Sequence, residues 1–187
     1  MIKLNYSSNT IEQFAINILS LSYDCMYSDF IWNKKNDNFD YTSKDSKIAL
    51  EVSLVIPENI ERVLAYQNSN KPDISTIQLH KLDQNDNLIR YYGGSICELK
   101  KKIIDTIKKK NLKALRRQNN NIEKYQLCLC IHDGGLFEYP DEWDFLKSNI
   151  DIQVSIFNQI FLITDCKLFI FDKSNIIEIP IPTKNSI

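Results

Sequence analysis

The residue of this chain most suggestive of chemistry is a glutamate inside an apolar segment. Glu51 lies within residues 48–56, which are otherwise almost entirely apolar. A carboxylate in a buried strand is costly unless a partner or a metal ion compensates its charge. Asp40 precedes this segment, and Ser53 follows Glu51 by two positions. Two carboxylates with a small polar residue in this pattern indicate a divalent-metal site, because Mg²⁺ prefers oxygen ligands.

The acidic residues also have ordinary structural interpretations, and these stay open at this point. Asp40 is compatible with simple turn chemistry. Glu51 would face solvent if its strand alternated at a sheet edge. Glu12 is a further candidate acid, but it lies in the first turn of a predicted helix, where the macrodipole favours acids. Asp29 and Asp45 rank below Asp40 because the first requires a long loop before Glu51 and the second is only six residues away from it.

Basic residues concentrate on one predicted helix, over residues 95–117. Its candidate phosphate-binding residues are Lys101, Lys108, Lys109, Lys113, Arg116 and Arg117. Such a face would bind phosphates with salt-dependent affinity and little sequence preference. In most proteins, however, a lysine-rich helix face is simply exposed to solvent. Lys110 and Lys113 stand beside the apolar stripe of this helix, which is predicted to include Leu112 and Leu115.

Hydrophobic periodicity predicts how these residues are positioned. Helices are predicted over residues 10–21, with Asn9 or Thr10 as N-cap, and over 58–66, 95–117 and 140–148. Extended segments or strands are predicted over 25–33, 39–42, 47–56, 75–82, 124–132, 157–165, 166–171 and 176–181, with a tight turn over 43–46. The apolar run 47–56 suits a central strand covered on both faces. This order indicates a mixed central sheet flanked by helices, an α/β or α+β fold.

Composition limits the classes of protein to consider. The 187 residues suffice for a single domain, residues 1–187, with its own core. A net charge of −1 argues against a uniformly basic nucleic-acid coat protein, although it permits a local basic face. The five cysteines have no zinc-site spacing and are expected to be reduced and buried. We expect a cytoplasmic protein with no secretory signal and no membrane association.

The acids and the element order together resemble the PD-(D/E)XK nuclease superfamily, which has the restriction-endonuclease-like fold. In that family an acid begins one strand, and a Glu or Asp follows in the next strand with Lys, or sometimes Gln, Ser or Thr, two positions later. The matching positions here are Asp40, Glu51 and Ser53. Glu12 matches the acid that several branches carry on the preceding helix. The chain departs from the pattern at Phe39, where proline is usual, and at Ser53, where lysine is usual.

The resemblance implies a metal-dependent nuclease that hydrolyses phosphodiester bonds of nucleic acid, DNA in the first place, in a setting such as bacterial or phage defence. Asp40 and Glu51, with Glu12 assisting, would hold Mg²⁺ or Mn²⁺, which polarises the phosphodiester and activates water. Since Ser53 cannot supply positive charge, Lys110 or Lys113 is the expected source of it. The resemblance also implies a homodimer.

Two further hypotheses follow from the residues that depart from the family pattern. Ser53 in the lysine position and the near-neutral net charge favour a catalytically inactive protein of the same fold, acting as a protein-binding or immunity-type module. The basic helix also permits a structural subunit that packs on an acidic protein partner.

Overall fold

The computed structural model describes residues 8–33, 38–56, 96–131, 148–150, 155–164, 167–173 and 175–181. Within these ranges the chain forms two α-helices, one short 3-10 helix and seven strands. The elements are α1 (Ser8–Ser22), the 3-10 helix (Cys25–Asp29), β1 (Ile31–Trp32), β2 (Tyr41–Thr42), β3 (Ile48–Val55), α2 (Ile96–Leu115), β4 (Lys124–Ile131), β5 (Gln159–Ile163), β6 (Lys167–Asp172) and β7 (Ile176–Pro180).

The described strands form one mixed sheet, and their order across the sheet is their order along the chain. The three central strands, β3, β4 and β5, are parallel to one another. Antiparallel pairs flank them, with β1 and β2 on one side and β6 and β7 on the other. The predicted mixed sheet flanked by helices is therefore confirmed as an α+β fold.

The sheet separates two hydrophobic cores, and each helix covers one of them. Residues such as Leu99 and Ile103 of α2 pack on the face that carries Ala49 of β3. Residues such as Leu19 of α1 pack on the opposite face, which carries Leu50 of β3. Because side chains alternate along a strand, Glu51 shares the α2 face with Ala49. The prediction that β3 is a central strand covered on both faces is confirmed.

The two long helices were predicted correctly over most of their length. The N-cap of α1 and the end of the apolar stripe of α2 were not. Helix α1 begins at Ser8, so Asn9 and Thr10 lie inside the helix, and the predicted N-cap is wrong. Helix α2 spans nearly all of the predicted range. Leu112 and Leu115, which were assigned to its apolar stripe, are 60% and 46% exposed. The packed face of the helix instead ends at Ala114, which is buried.

The predicted extended segment over residues 25–33 is wrong in its first half. Residues Cys25–Asp29 form a 3-10 helix, because the Asp24 side chain accepts a hydrogen bond from the Met26 backbone N–H at 2.9 Å. This turn places Tyr27, which is fully buried, against Phe30 and Phe161. Local hydrogen bonding and aromatic packing therefore outweigh the β propensity of the segment.

The remaining predicted elements were confirmed or lie beyond the described residues. The turn over 43–46 forms, with a positive φ of 59° at Ser46 and a backbone hydrogen bond from Ser46 N–H to the Ser43 carbonyl. Strands β4 to β7 match the predicted segments, with β5 and β6 pairing as the expected antiparallel hairpin. The predicted helix over 58–66, the predicted strand over 75–82 and nearly all of the predicted helix over 140–148 lie outside the described residues.

Neither described α-helix has the length and apolar character that a membrane span requires. Cys128 and Cys130 of β4 are buried free cysteines, whereas Cys25 is exposed, contrary to the expectation of buried cysteines.

Candidate active site

Asp40 directly precedes β2, and Glu51 lies on the neighbouring strand β3 where the pairing of the two strands ends. Strand β2 pairs with β3 only through Tyr41 opposite Leu50 and Thr42 opposite Ala49. Extending this register by one residue places Asp40 opposite Glu51. Directly opposed residues of an antiparallel pair have Cβ atoms about 4.5–5.5 Å apart. The two carboxylates predicted from sequence are therefore brought together by the β2–β3 register.

Where the hydrogen-bond ladder between β2 and β3 ends, the carboxylate of Asp40 takes the place of a backbone carbonyl as the acceptor. The Val52 backbone N–H donates to Asp40 Oδ2 at 2.7 Å. The Phe39 carbonyl, the next acceptor along the β2 side, instead accepts a hydrogen bond from the Asn33 side-chain amide at 2.9 Å. The Asn33 backbone N–H also donates to the Asp40 carbonyl at 2.9 Å. These bonds hold Asp40 at the fork between β2 and β3, with its side chain half-buried.

Glu51 is enclosed by three cationic side chains, here called the cationic triad: Lys110, Lys113 and Arg117. Its side chain is only 4% exposed. Lys110 Nζ lies 2.7 Å from Glu51 Oε1, within the range of a charge-assisted hydrogen bond. Lys113 Nζ lies 3.5 Å from the same oxygen, and Arg117 Nη1 lies 3.5 Å from Oε2. Both oxygens of the buried carboxylate therefore have cationic partners.

The spacing of the cationic triad explains why one helix supplies it. Positions three, four and seven residues apart share a face of an α-helix. Lys110 and Lys113 lie in the last turns of α2, and Arg117 follows its end through a turn closed by a backbone hydrogen bond to Ala114. Arg117 also donates to the Asn38 carbonyl at 3.1 Å, which links α2 to the segment that carries Asp40.

Glu12 joins the site from the opposite helix. Its Oε2 accepts a hydrogen bond from the indole N–H of Trp32 at 2.9 Å. Burial raises the pKa of Glu12, the Trp32 hydrogen bond opposes that rise, and the negative charge of Glu51 adds to it. Lys110 also lowers the pKa of Glu12. Glu12 is thus electrostatically coupled to both members of the Glu51–Lys110 pair.

Asp40 has the most strongly perturbed carboxylate of the site. Burial and then the negative charge of Glu51 raise its pKa to about 6, against the opposing effect of the Val52 hydrogen bond. Glu12 raises this pKa further, and Lys110 lowers it. We call Glu12, Asp40 and Glu51 the carboxylate cluster. An acid with a raised pKa beside two others is typical of functional sites, where like charges are held together.

The other predicted site residues fall into two groups. Ser53 lies two positions after Glu51 on β3, so it shares the α2 face of the sheet and is half-buried. Four basic residues of α2 and its end are exposed: Lys101, Lys108, Lys109 and Arg116. Arg117, which was assigned to the same basic face, has a side chain only 16% exposed. Its assignment to an exposed face was wrong, because it turns inward to Glu51.

The rival acids lie elsewhere in simpler surroundings. Asp29 forms an exposed salt bridge with Lys44 at 3.1 Å. Asp45 accepts hydrogen bonds from the Ser43 hydroxyl at 2.5 Å and the Lys47 backbone N–H at 3.1 Å. The hydrogen bond from Ser43 is the main reason that the pKa of Asp45 is lowered. Asp45 is therefore a turn residue, and Asp40 is the acid that lies beside Glu51.

Two contacts of the site were missed from the sequence. The position of Arg117, seven residues after Lys110, was a usable signal that both share a helix face. The Trp32–Glu12 hydrogen bond had no sequence signal, because it joins α1 to a two-residue strand twenty positions away.

The donor set can be tested against a divalent metal ion. No group of three or more His, Cys, Asp and Glu side chains in the described residues is arranged to hold a metal. Mg²⁺ usually takes only one or two carboxylates from the protein and completes its shell with water and substrate phosphate. Asp40 and Glu51 are two such donors, and the negative charge of Glu51 acts on Asp40. The carboxylates fit Mg²⁺ or Mn²⁺ on this criterion.

No family model, no curated protein and no solved structure matches this chain.

Proposed function

We propose that this protein is a divergent PD-(D/E)XK-type nuclease that hydrolyses phosphodiester bonds of nucleic acid, with DNA as the first substrate to test. The observation that supports it is the position of Lys110 Nζ, 2.7 Å from Glu51 at the β2–β3 fork. A lysine from α2 thereby supplies the positive charge that Ser53 cannot. The restriction-endonuclease-like fold is part of the same proposal and agrees with the mixed sheet between two helices.

The residues of the site divide into three roles in this proposal. Asp40 and Glu51 would hold Mg²⁺ or Mn²⁺, which on binding supplies Lewis acidity to the phosphodiester and acidity to a bound water. Glu12 adds negative charge beside them. Lys110 would stabilise negative charge that develops on the phosphoryl oxygens. Lys113, whose side chain is 48% exposed, would contact a neighbouring phosphate.

Binding to the nucleic-acid backbone would come from the exposed lysines of α2. Lys101, Lys108 and Lys109 are exposed on the same helix that carries Lys110 and Lys113. Contacts of this kind position a backbone without reading its sequence.

A second candidate function rests on the pairing of Glu51. Both of its oxygens already have cationic partners within 3.5 Å. An ion pair with a purely structural role would leave the carboxylate of Glu51 paired in the same way. The alternative is therefore a catalytically inactive protein of this fold that binds a protein partner, as an immunity-type module does.

A cleavage assay separates the two candidates. Wild type, Asp40→Asn and Lys110→Met proteins would be incubated with labelled single- and double-stranded DNA and RNA in Mg²⁺ or Mn²⁺. Asp40→Asn keeps an oxygen that accepts the Val52 N–H, so it removes charge without removing this hydrogen bond. Asp29→Asn is the matched control, because it removes an exposed acid outside the site.

We expect cleavage by wild type and Asp29→Asn and loss of at least 100-fold, of the order seen for key electrostatic groups, in the other two variants. Cleavage by Asp40→Asn at the wild-type rate would exclude the mechanism. A wild-type protein that cleaves none of the substrates and co-purifies with one protein would support the binding module.

A further inference from the structure

The helical segments on the two faces of the sheet carry opposite charge. Residues 8–33, which include α1 and the 3-10 helix, contain three acids and no lysine or arginine, a net charge of −3. Residues 96–117, which include α2, contain nine lysines and arginines against two acids, a net charge of +7. Because α1 and α2 pack on opposite faces of the sheet, this charge difference lies across the molecule, although the whole chain has a net charge of only −1.

The end of α1 exposes apolar side chains around an acid, and we call Leu21, Tyr23, Asp24 and Met26 the acidic surface. Leu21, Tyr23 and Met26 are 79%, 38% and 37% exposed, and Asp24 between them is also exposed. Helix α1 has no basic residue in its last turn, so the partial negative charge at its C-terminus adds to the charge of Asp24. This surface fits a partner that presents both apolar and basic side chains.

The outer side of α2 has the complementary composition, and we call Lys108, Lys109, Leu112, Leu115 and Arg116 the basic surface. All five are exposed, and spacings of three, four and seven residues place them on one side of the helix. The two leucines, which sequence periodicity assigned to the packed face, are 60% and 46% exposed. Leucine gains nothing from a phosphate backbone, whereas it gains apolar burial against a protein. This surface therefore fits a protein partner that presents apolar and acidic side chains.

We propose that the acidic surface of one copy docks on the basic surface of the next, so that the protein associates with itself head to tail. The occupant is a second copy of this chain because each surface carries exposed apolar side chains and the charge that the other lacks. Since the two surfaces lie on helices at opposite faces of the sheet, the contact is heterologous, and a dimer keeps one free surface of each kind. The assembly does not depend on nuclease activity, and nucleic acid bound to the lysines of α2 would compete with it.

Two variants, each with one surface disrupted, test the contact. Leu21→Lys places a positive charge on the acidic surface, and Leu112→Gln/Leu115→Gln removes the apolar side chains of the basic surface. All three positions are exposed, so folding is expected to persist. Ile177→Lys and Ile176→Gln/Ile177→Gln are matched controls, because these isoleucines are 41–42% exposed on the edge strand β7, outside both surfaces. Mass would be measured by light scattering and analytical ultracentrifugation over a wide range of protein concentration.

Wild type and both controls should gain mass with concentration in about 0.1 M salt and lose it in about 1 M salt, where the screening length falls from about 10 Å to about 3 Å. Each surface variant alone should stay monomeric. Their mixture should form a one-to-one dimer and nothing larger, because only one intact surface of each kind remains. Monomeric wild type, a mixture that stays monomeric, or variants that associate like wild type would overturn the proposal.

Carbodiimide cross-linking of wild type provides a second measurement that needs no variant, because it joins a carboxylate directly to a lysine. In a mixture of ¹⁴N- and ¹⁵N-labelled protein, mass spectrometry should find Asp24 linked to Lys108 or Lys109 in peptides that combine the two labels. If a surface variant does not fold by circular dichroism, this measurement decides. The absence of mixed-label links between these residues would overturn the proposal and leave the nuclease proposal standing.

Discussion

The Glu51–Lys110 pair gives a quantitative prediction about stability. At an effective dielectric constant of about 20, unit charges at 2.7 Å attract by about 6 kcal/mol and at 3.5 Å by about 5 kcal/mol. Desolvation offsets most of this gross attraction, because the Glu51 side chain is only 4% exposed. Lys113 is half exposed, so solvent screening reduces its contribution to at most about 1 kcal/mol.

Removing the charge of Glu51 should be the most costly single change at this site. Glu51→Gln leaves Lys110 and Arg117 in a largely buried position without their anion. We expect the free energy of unfolding to fall by about 3–5 kcal/mol, as for other broken buried ion pairs. For a chain of this size that corresponds to a melting temperature lower by roughly 6–20 °C. Lys110→Met should cost less, about 1–3 kcal/mol, because Arg117 and Lys113 remain near Glu51.

The double variant Glu51→Gln/Lys110→Met isolates the interaction. Its loss of stability should be smaller than the sum of the single losses by about 1–3 kcal/mol, because each change removes the partner of the other. Urea denaturation of all four proteins supplies the cycle. Lys109→Met, on the exposed side of the same helix, is the control and should change stability by no more than about 0.5 kcal/mol. Additive single effects, or a Glu51→Gln protein as stable as wild type, would refute the reasoning.

Three further outcomes are expected. Asp40 has a folded pKa of about 6 against about 3.9 unfolded, so the folded state binds more protons between these values and wild-type stability falls as pH rises through that window. Asp40→Asn should therefore be more stable than wild type by about 1–3 kcal/mol at pH 7.5, with the difference shrinking toward pH 4.5 in urea denaturation; a difference constant across pH would contradict this. Mg²⁺ at about 100 times its dissociation constant should stabilise wild type by about 2.7 kcal/mol in thermal melts and leave Asp40→Asn unaffected; equal stabilisation of both would place the ion elsewhere. Lys108→Glu/Lys109→Glu should reduce the slope of log affinity for single-stranded DNA against log salt by about 1.4, and an unchanged slope would remove these lysines from the interface.

The sequence predicted best the elements whose conformation is determined by their own residues. Strand β3 is a short, almost continuous apolar run and helix α2 has a long helical periodicity, so their types and approximate ends could be predicted. The 3-10 helix was not, because it depends on the Asp24 side chain bonding a backbone N–H and on Tyr27 finding aromatic partners distant in sequence. Residue type and position therefore predict an element well only where tertiary contacts do not decide its backbone.

In the candidate site, too, single residues were predictable from the sequence and contacts between distant elements were less so. Asp40 and Glu51 were recognisable because a carboxylate in or before an apolar strand demands compensation. Lys110 was a candidate from its place beside the apolar stripe of α2, and the 2.7 Å contact with Glu51 agrees with that. The inward turn of Arg117 and the Trp32–Glu12 bond depend on how helices sit on the sheet. The spacing of Lys110 and Arg117 was a usable signal for the first contact, whereas the second could not be derived before that packing was known.

The parallel pairing of β3 with β4 has a consequence for how the protein acquires its charged centre during folding. These neighbouring strands run in the same direction, so the chain between Val55 and Lys124 must cross over before they pair, and α2 lies in that crossover. Lys110 reaches Glu51 across 59 positions of sequence, a contact whose loop-closure entropy must be overcome before it contributes. We therefore expect Glu51 to stay hydrated and unpaired during folding until α2 docks. Docking of that one helix buries the carboxylate and delivers all three cations, so assembly of the site is expected to be a late and cooperative step of folding.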